Sequence, residues 1–164
     1  MPRRFVPASK SVPAGLETAD FKLRMLTVND LVKDYDAVMS SVEHLHGVFG
    51  PDNSWPADDL TLEQDLIDLG WHQKEFQMKS SFAFTVMRLD ESRCLGCVYV
   101  DPSDKKGFDA QVILWVRQSE LETGLDERLF AAVKEWLENE WWFENVAFPG
   151  REQSWQEWAA LEEK

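Results

Sequence analysis

Between Ser81 and Arg117 the chain passes three times through a run of β-branched, aromatic and small apolar residues. The runs are Ser81–Leu89, Cys94–Val100 and Ala110–Arg117. They are broken by the hairpin-turn residues Asp90-Glu-Ser-Arg93 and by the polar, glycine-ended segment Asp101–Gly107. Connections this short join antiparallel neighbours, whereas parallel strands need a crossover of about a dozen residues or more. The centre of the chain is therefore a β-meander, and whatever flanks it must pack on that sheet.

The flanks carry helical periodicity. Leu31, Tyr35, Val38, Val42 and Leu45 predict a helix over about 28–46, started by Thr27 with Asp30 three residues on, an acidic form of the capping box. Thr61-Leu-Glu-Gln64 opens a second helix over about 61–79 on the stripe Leu62, Leu66, Leu69 and Phe76. Leu125, Leu129, Val133, Trp136 and Leu137 mark a third over about 124–140. Phe21–Leu26 alternates as a half-buried strand, Val146–Phe148 reads as a short last strand, and Ser154 caps a final helix through Leu161. The order β–α–α–β–β–β–α–β–α is an α/β fold with a mixed sheet. At 164 residues this is one domain, over 21–164, behind an extended arm, 1–20, that Pro2, Pro7 and Pro13 keep out of helix.

Charge excludes several functions. Thirty Asp+Glu against 17 Lys+Arg leave −13, so a general nucleic-acid binder or an anionic-membrane binder is not expected. No apolar run approaches the ~18 residues of a spanning helix, and the start has no secretory apolar core. Two cysteines make no disulfide framework. A cytoplasmic protein is expected. The acidity itself reads either as attraction for amines or as solubility by self-repulsion.

Individual chemical candidates are sparse. His72 and Glu75 share a helix face, but zinc takes three or four protein ligands and no companion pair is spaced for it, so no metal site is expected. Cys94-Leu-Gly-Cys97 lies in a predicted strand, where residues three apart face opposite ways, so two small buried thiols are expected. Trp55, in the loop 47–59, reads either as the wall of an acceptor pocket or as a core anchor for a long loop. Five of the eight tryptophans fall in the last third, as core filling or as a contact surface. An exposed aromatic load would also suit a homodimer.

The segment Val112-Ile-Leu-Trp-Val-Arg117, the loop to Asp126 and the helix from Glu127 to Leu137 resemble the core of the GNAT N-acetyltransferase superfamily, as does the element order from Phe21 to Phe148. The resemblance implies a GNAT-like acyl-CoA N-acyltransferase fold, shortened at its C-terminus. It implies acetyl-CoA along the backbone of Leu114, Trp115 and Val116, with its pyrophosphate at Gly124, Leu125 and Asp126. There the free N–H groups and positive dipole end of a helix start bind anions. Arg117 and Arg128 would offset local negative charge. Glu43 or His44 would be the base, and His46 and Trp55 would border a small amine acceptor.

Two departures from that family's pattern carry physical weight. Glu122 and Asp126 stand where small residues let the backbone approach phosphate, and Thr123-x-x-Asp126 has the spacing of a self-made cap. The only tyrosines, Tyr35 and Tyr99, lie away from the C-terminal helix in which the family places its general acid. Two functions follow. One is an enzyme transferring an acyl group from acyl-CoA to a small amine, its activity weakened or lost with the loop. The alternative is a non-catalytic domain that binds a ligand or a protein through its Trp-rich C-terminal third.

Overall fold

A computed structural model describes residues 4–164. Its centre is a six-stranded sheet in chain order: β1 (Gly15–Glu17), β2 (Lys22–Met25), β3 (Phe82–Met87), β4 (Cys94–Pro102), β5 (Ala110–Val116) and β6 (Val146–Ala147). Neighbours are antiparallel throughout except β5 and β6, which are parallel. The mixed α/β architecture expected from the sequence is observed. The helices are α1 (Leu31–Met39), α2 (Val42–Leu45), α3 (Leu62–Gln77), α4 (Leu125–Glu140) and α5 (Trp155–Ala160).

Each face of the sheet carries its own core. Phe84, Val98, Val100, Val112, Leu114 and Val116 project to one side and pack with Leu129, Val133 and Trp136 of α4. Cys97, Tyr99, Ile113 and Trp115 project to the other and meet Ala37 and Val38 of α1 and Leu69 of α3. This is the period-two alternation of a sheet buried on both sides.

Local chemistry explains where the helices begin. Thr27 Oγ1 accepts from Asn29 N, and Asp30 Oδ2 accepts from Thr27 N at 2.9 Å, so the capping box forms. Thr61 Oγ1 accepts from Gln64 N and Ser154 Oγ from Glu157 N, each at 3.1 Å, capping α3 and α5. The single helix expected over 28–46 is instead a short 3₁₀ turn, α1 and α2. The break falls at two serines. Ser40 Oγ donates to the local carbonyl Ala37 O, and Ser41 Oγ accepts from Gln118 N across the fold, so the two serines are held by partners other than a continuous helical ladder.

Two further expectations change. Pro2 lies outside the described residues; from residue 4 on the N-terminal segment carries no helix, but it turns at Pro7–Lys10, Gly15–Glu17 pairs with β2 as an edge strand, Val6 is buried and Phe5 stacks on Phe82 and Phe143. Its apolar residues make it part of the domain's packing. The cysteines do not face opposite ways: Cys94 opposes Met87 and Gly96 opposes Val86, so Leu95 is the extra residue of a bulge. The bulge resets the alternation and puts Cys94 and Cys97 in one cluster while Leu95 joins the other. Both are free buried thiols, as expected, though for a different reason.

No helix among the described residues is long and apolar enough to cross a membrane. Among the same residues no group of three or more His, Cys, Asp or Glu is placed to hold a metal ion.

Candidate functional site

The parallel strands β5 and β6 pair only at Ala110–Val146 and Gln111–Ala147. Beyond Gln111 they separate, and the β5 carbonyls on that side take side-chain partners instead of a strand. Leu114 O accepts from Arg151 Nη2 at 3.2 Å, and Val116 O accepts from His44 Nε2 at 3.1 Å. The cleft so formed, about 300 Å³, is lined by His44, His46, Ile113, Leu114, Arg151 and Trp155 among others. Donation from Nε2 leaves His44 Nδ1 as the free acceptor of the ring.

Close to this cleft, α4 begins without a side-chain cap. Gly124 is the N-cap residue at φ +78°, a left-handed conformation that favours glycine. The expected Thr123–Asp126 capping box does not form. Thr123 Oγ1 donates back to Glu120 O at 2.8 Å instead, and the helix start keeps its N–H groups free of side chains. Asp126 is held by Arg151, which forks onto it at 2.7 and 2.8 Å, so the carboxylate is compensated. Arg128 bonds Thr123 O at 2.6 Å and Asp20 at 2.7 Å, tying the loop to the segment before β2. Glu120, Glu122 and Glu127 are all solvated or half-solvated.

A second hollow, about 400 Å³, lies on the other side of the loop 47–55, among Asp34, Phe49, Trp55, Asp65, Trp71 and Tyr99. Trp55 packs on Phe49 and on Trp115, whose Nε1 donates to Tyr99 Oη at 3.1 Å. Burial raises the Asp34 carboxyl well above the usual range, and the neighbouring Asp65 charge raises it further. Burial raises Asp65 too, partly opposed by its hydrogen bond with Asp34. Both carboxyls are thus biased toward their protonated forms. His72, on the same wall, is pushed toward its neutral form by burial.

The residues predicted from sequence separate between these hollows. Leu114, His44 and His46 line the cleft, and Gly124, Leu125, Asp126 and Arg128 sit at the helix start nearby. His46 Nε2 also bonds Pro56 O at 2.8 Å. Glu43 is exposed on α2 and is not among the residues lining the cleft. Trp55 packs on core aromatics and lines the second hollow. Trp115 is buried and turned toward that side, and Val116 contributes its carbonyl.

Arg117 does not approach the helix start. It is buried, donates to Cys94 O, and pairs with Asp36 at 2.9 Å. Of the C-terminal tryptophans, Trp136, Trp141 and Trp158 are buried and Trp142 and Trp155 half-buried, so they fill structure and offer no exposed contact surface. Trp71, on α3, is the tryptophan left exposed.

Arg151, Asp34 and Asp65 were not read from the sequence as site residues. For the two aspartates a signal exists: Asp34 stands four residues from Val38, and Asp65 four from Leu69, each on the apolar side of its helix. A charge at such a position is either paired or functional. For Arg151 there is no local signal, since its partners lie in α4 and β5.

No protein-family model matches the chain, and no curated protein matches it by sequence. Solved structures do match by shape. The ribosomal-protein-S5-alanine acetyltransferase from Vibrio fischeri superposes with a TM-score of 0.59 at 18% identity, over 76% of this chain and 67% of that one. RimL, the ribosomal L7/L12 alpha-N-protein acetyltransferase in complex with coenzyme A, gives 0.56 at 14% identity, over 76% and 66%. The microcin C7 self immunity acetyltransferase MccE, in complex with acetyl-CoA and AMP, gives 0.54 at 13% identity, over 76% and 67%. The chain thus spans about two thirds of the length of these proteins. The six-stranded mixed sheet, parallel only where β5 and β6 part, is the GNAT acyl-CoA N-acyltransferase fold.

Proposed function

We propose that this protein is a CoA-dependent N-acyltransferase acting on a small amine. The observation that carries the reading is the parting of β5 from β6. It leaves Leu114 O and Val116 O to exchangeable side-chain donors, next to the uncapped start of α4. Similar structures hold CoA or acetyl-CoA, and a cleft edged by backbone acceptors beside free N–H groups suits an amide-bearing arm that ends in a diphosphate.

In this reading Leu114 and Val116 bind the acyl donor through their backbone, and Gly124, Leu125 and Asp126 present amides to its pyrophosphate. Arg151 and His44 release their carbonyls as the donor enters. Acyl-CoA supplies an activated thioester. The amine must attack in its neutral form, and His44, whose Nδ1 is free, is the group placed to take its proton. Glu43, exposed on the same helix, is the alternative base. His46 lines the acceptor side of the cleft, and Arg128 steadies the loop.

Thermal melting with and without acetyl-CoA tests the reading. A ligand at about 100 times its dissociation constant stabilises by about 2.7 kcal/mol. A raised melting temperature, with acylated amine detected by mass, is expected. No shift at millimolar acetyl-CoA would sink the proposal.

A further inference from the structure

Helix α3 is apolar on two sides. Leu69 and Phe76 pack toward the sheet. Leu66, Ile67, Trp71 and Met78 are exposed, Ile67 at 56% and Trp71 at 65%. At about 3.6 residues per turn these four fall, with Glu63, Gly70 and Lys74, on the side of the helix turned away from the core. A helix that is apolar all round is ordinarily buried, and a contiguous exposed apolar face marks an interaction site. No described segment of the chain covers this face.

The charges on the face identify what covers it. Glu63 and Lys74 stand about three turns apart, on either side of the apolar residues. Neither forms an ion pair among the described residues. Their neighbours three and four positions along the helix carry no opposite charge either. The stripe is therefore neutral on a chain of net charge −13. Copies of so acidic a protein repel one another over most of their surface, but not here. A stripe with one charge of each sign at its ends is complementary to itself when reversed, which is the requirement of a twofold interface.

We propose that α3 is the interface of a homodimer, two copies of the helix packing antiparallel about a twofold axis level with the Asp68–Leu69 peptide. In this register Glu63 of one copy meets Lys74 of the other at both ends. Leu66 lies over Gly70 of the second copy, and Ile67 packs beside Trp71 of the second copy, each pair within about one helical rise of the same level. Packed helices approach to about 8–10 Å according to the side chains between them, and Gly70 provides the closest approach. The fold itself does not call for glycine there: a Cβ at Gly70 would meet only Val28 Cγ1, at 3.8 Å, and a helix interior disfavours glycine. A single helix pair is a small interface, so the dimer is reversible, with dissociation at roughly tens of micromolar. The inference does not rest on the acyl-transfer reading.

Analytical ultracentrifugation of the full chain, from about 1 to 200 μM at moderate salt, tests the interface. The mass is expected to rise with concentration from 19.0 kDa toward twice that value. Trp71→Ala, at an exposed position, should melt like the wild type and weaken association about tenfold. Glu63→Lys and Lys74→Glu each set like charges together at both ends of the stripe, and each should weaken association severalfold. An equimolar mixture of those two variants should regain the wild-type affinity, because each copy then carries the charges that the other needs. The charge variants, also at exposed positions, keep the test open if Trp71→Ala does not fold. A chain that stays monomeric over the whole range overturns the proposal. So does association undiminished by Trp71→Ala or by either charge variant, and so does a mixture that fails to recover.

Discussion

Arg151 and Asp126 lock together across the mouth of the parted strands. The guanidinium forks onto the carboxylate at 2.7 and 2.8 Å, and its Nη2 also reaches Leu114 O at 3.2 Å. One side chain thus neutralises the acidic residue at the start of α4 and occupies a β5 carbonyl. The electrostatic objection raised by Asp126 in the sequence is answered in space by a residue 25 positions away.

The first prediction follows from that lock. Asp126→Ala should leave Arg151 free to meet a diphosphate and should enlarge the acetyl-CoA-induced melting shift. Arg151→Ala should shrink it, because Asp126 is then left unpaired beside the phosphate site. Without ligand, neither change should cost more than about 1 kcal/mol, as the pair is partly solvated. The same shift in both variants would show that the lock does not face the phosphate.

Arg117 provides a second test. It is buried, with Asp36, Ser40 and Cys94 O as partners. Arg117→Ala should lower stability by about 2–4 kcal/mol in denaturant unfolding, because it strips a buried carbonyl and hydroxyl of their donor. The acetyl-CoA shift, compared at temperatures where the variant is folded, should not change, since Arg117 points away from α4.

The third prediction concerns pH. Burial pushes the Asp101 carboxyl up to about 6, against a hydrogen bond from Ser81 that lowers it. A raised folded pKa means that at intermediate pH the native state binds more protons than the unfolded one, so this group lowers stability as pH rises. Asp101→Asn should match the wild type near pH 4, gain on it as pH rises toward about 6, and stay about 1–2 kcal/mol ahead above that. A stability difference that shrinks with rising pH would refute the sign.

The cysteines give a fourth. Burial drives Cys94 up to about 12 and raises Cys97 as well. The thiolate is the reactive species. Native protein at pH 8 should resist a thiol reagent, and both residues should react once it is unfolded. Rapid native labelling of either would mean that the β4 bulge opens readily.

What could be read in the sequence was local. The apolar runs around Phe84, Val98 and Leu114 announced the meander, and the caps at Thr27, Thr61 and Ser154 announced helix starts. Those features depend on neighbours within a few residues. The bulge at Leu95 was hidden, because it is a register fact between two strands. The break at Ser40–Ser41 was hidden too, because Ser41 is engaged by Gln118 from across the fold.

By itself, then, the sequence determined the order of elements, the sheet they build and the glycine that opens α4, since periodicity, capping and backbone freedom act over one or two turns. Tertiary structure alone decided that Arg151 closes on Asp126, that His44 meets Val116, and that Asp34 and Asp65 come together in one hollow. Each of these joins side chains from separate elements, and their protonation and reach depend on burial that exists only once the two faces of the sheet are packed.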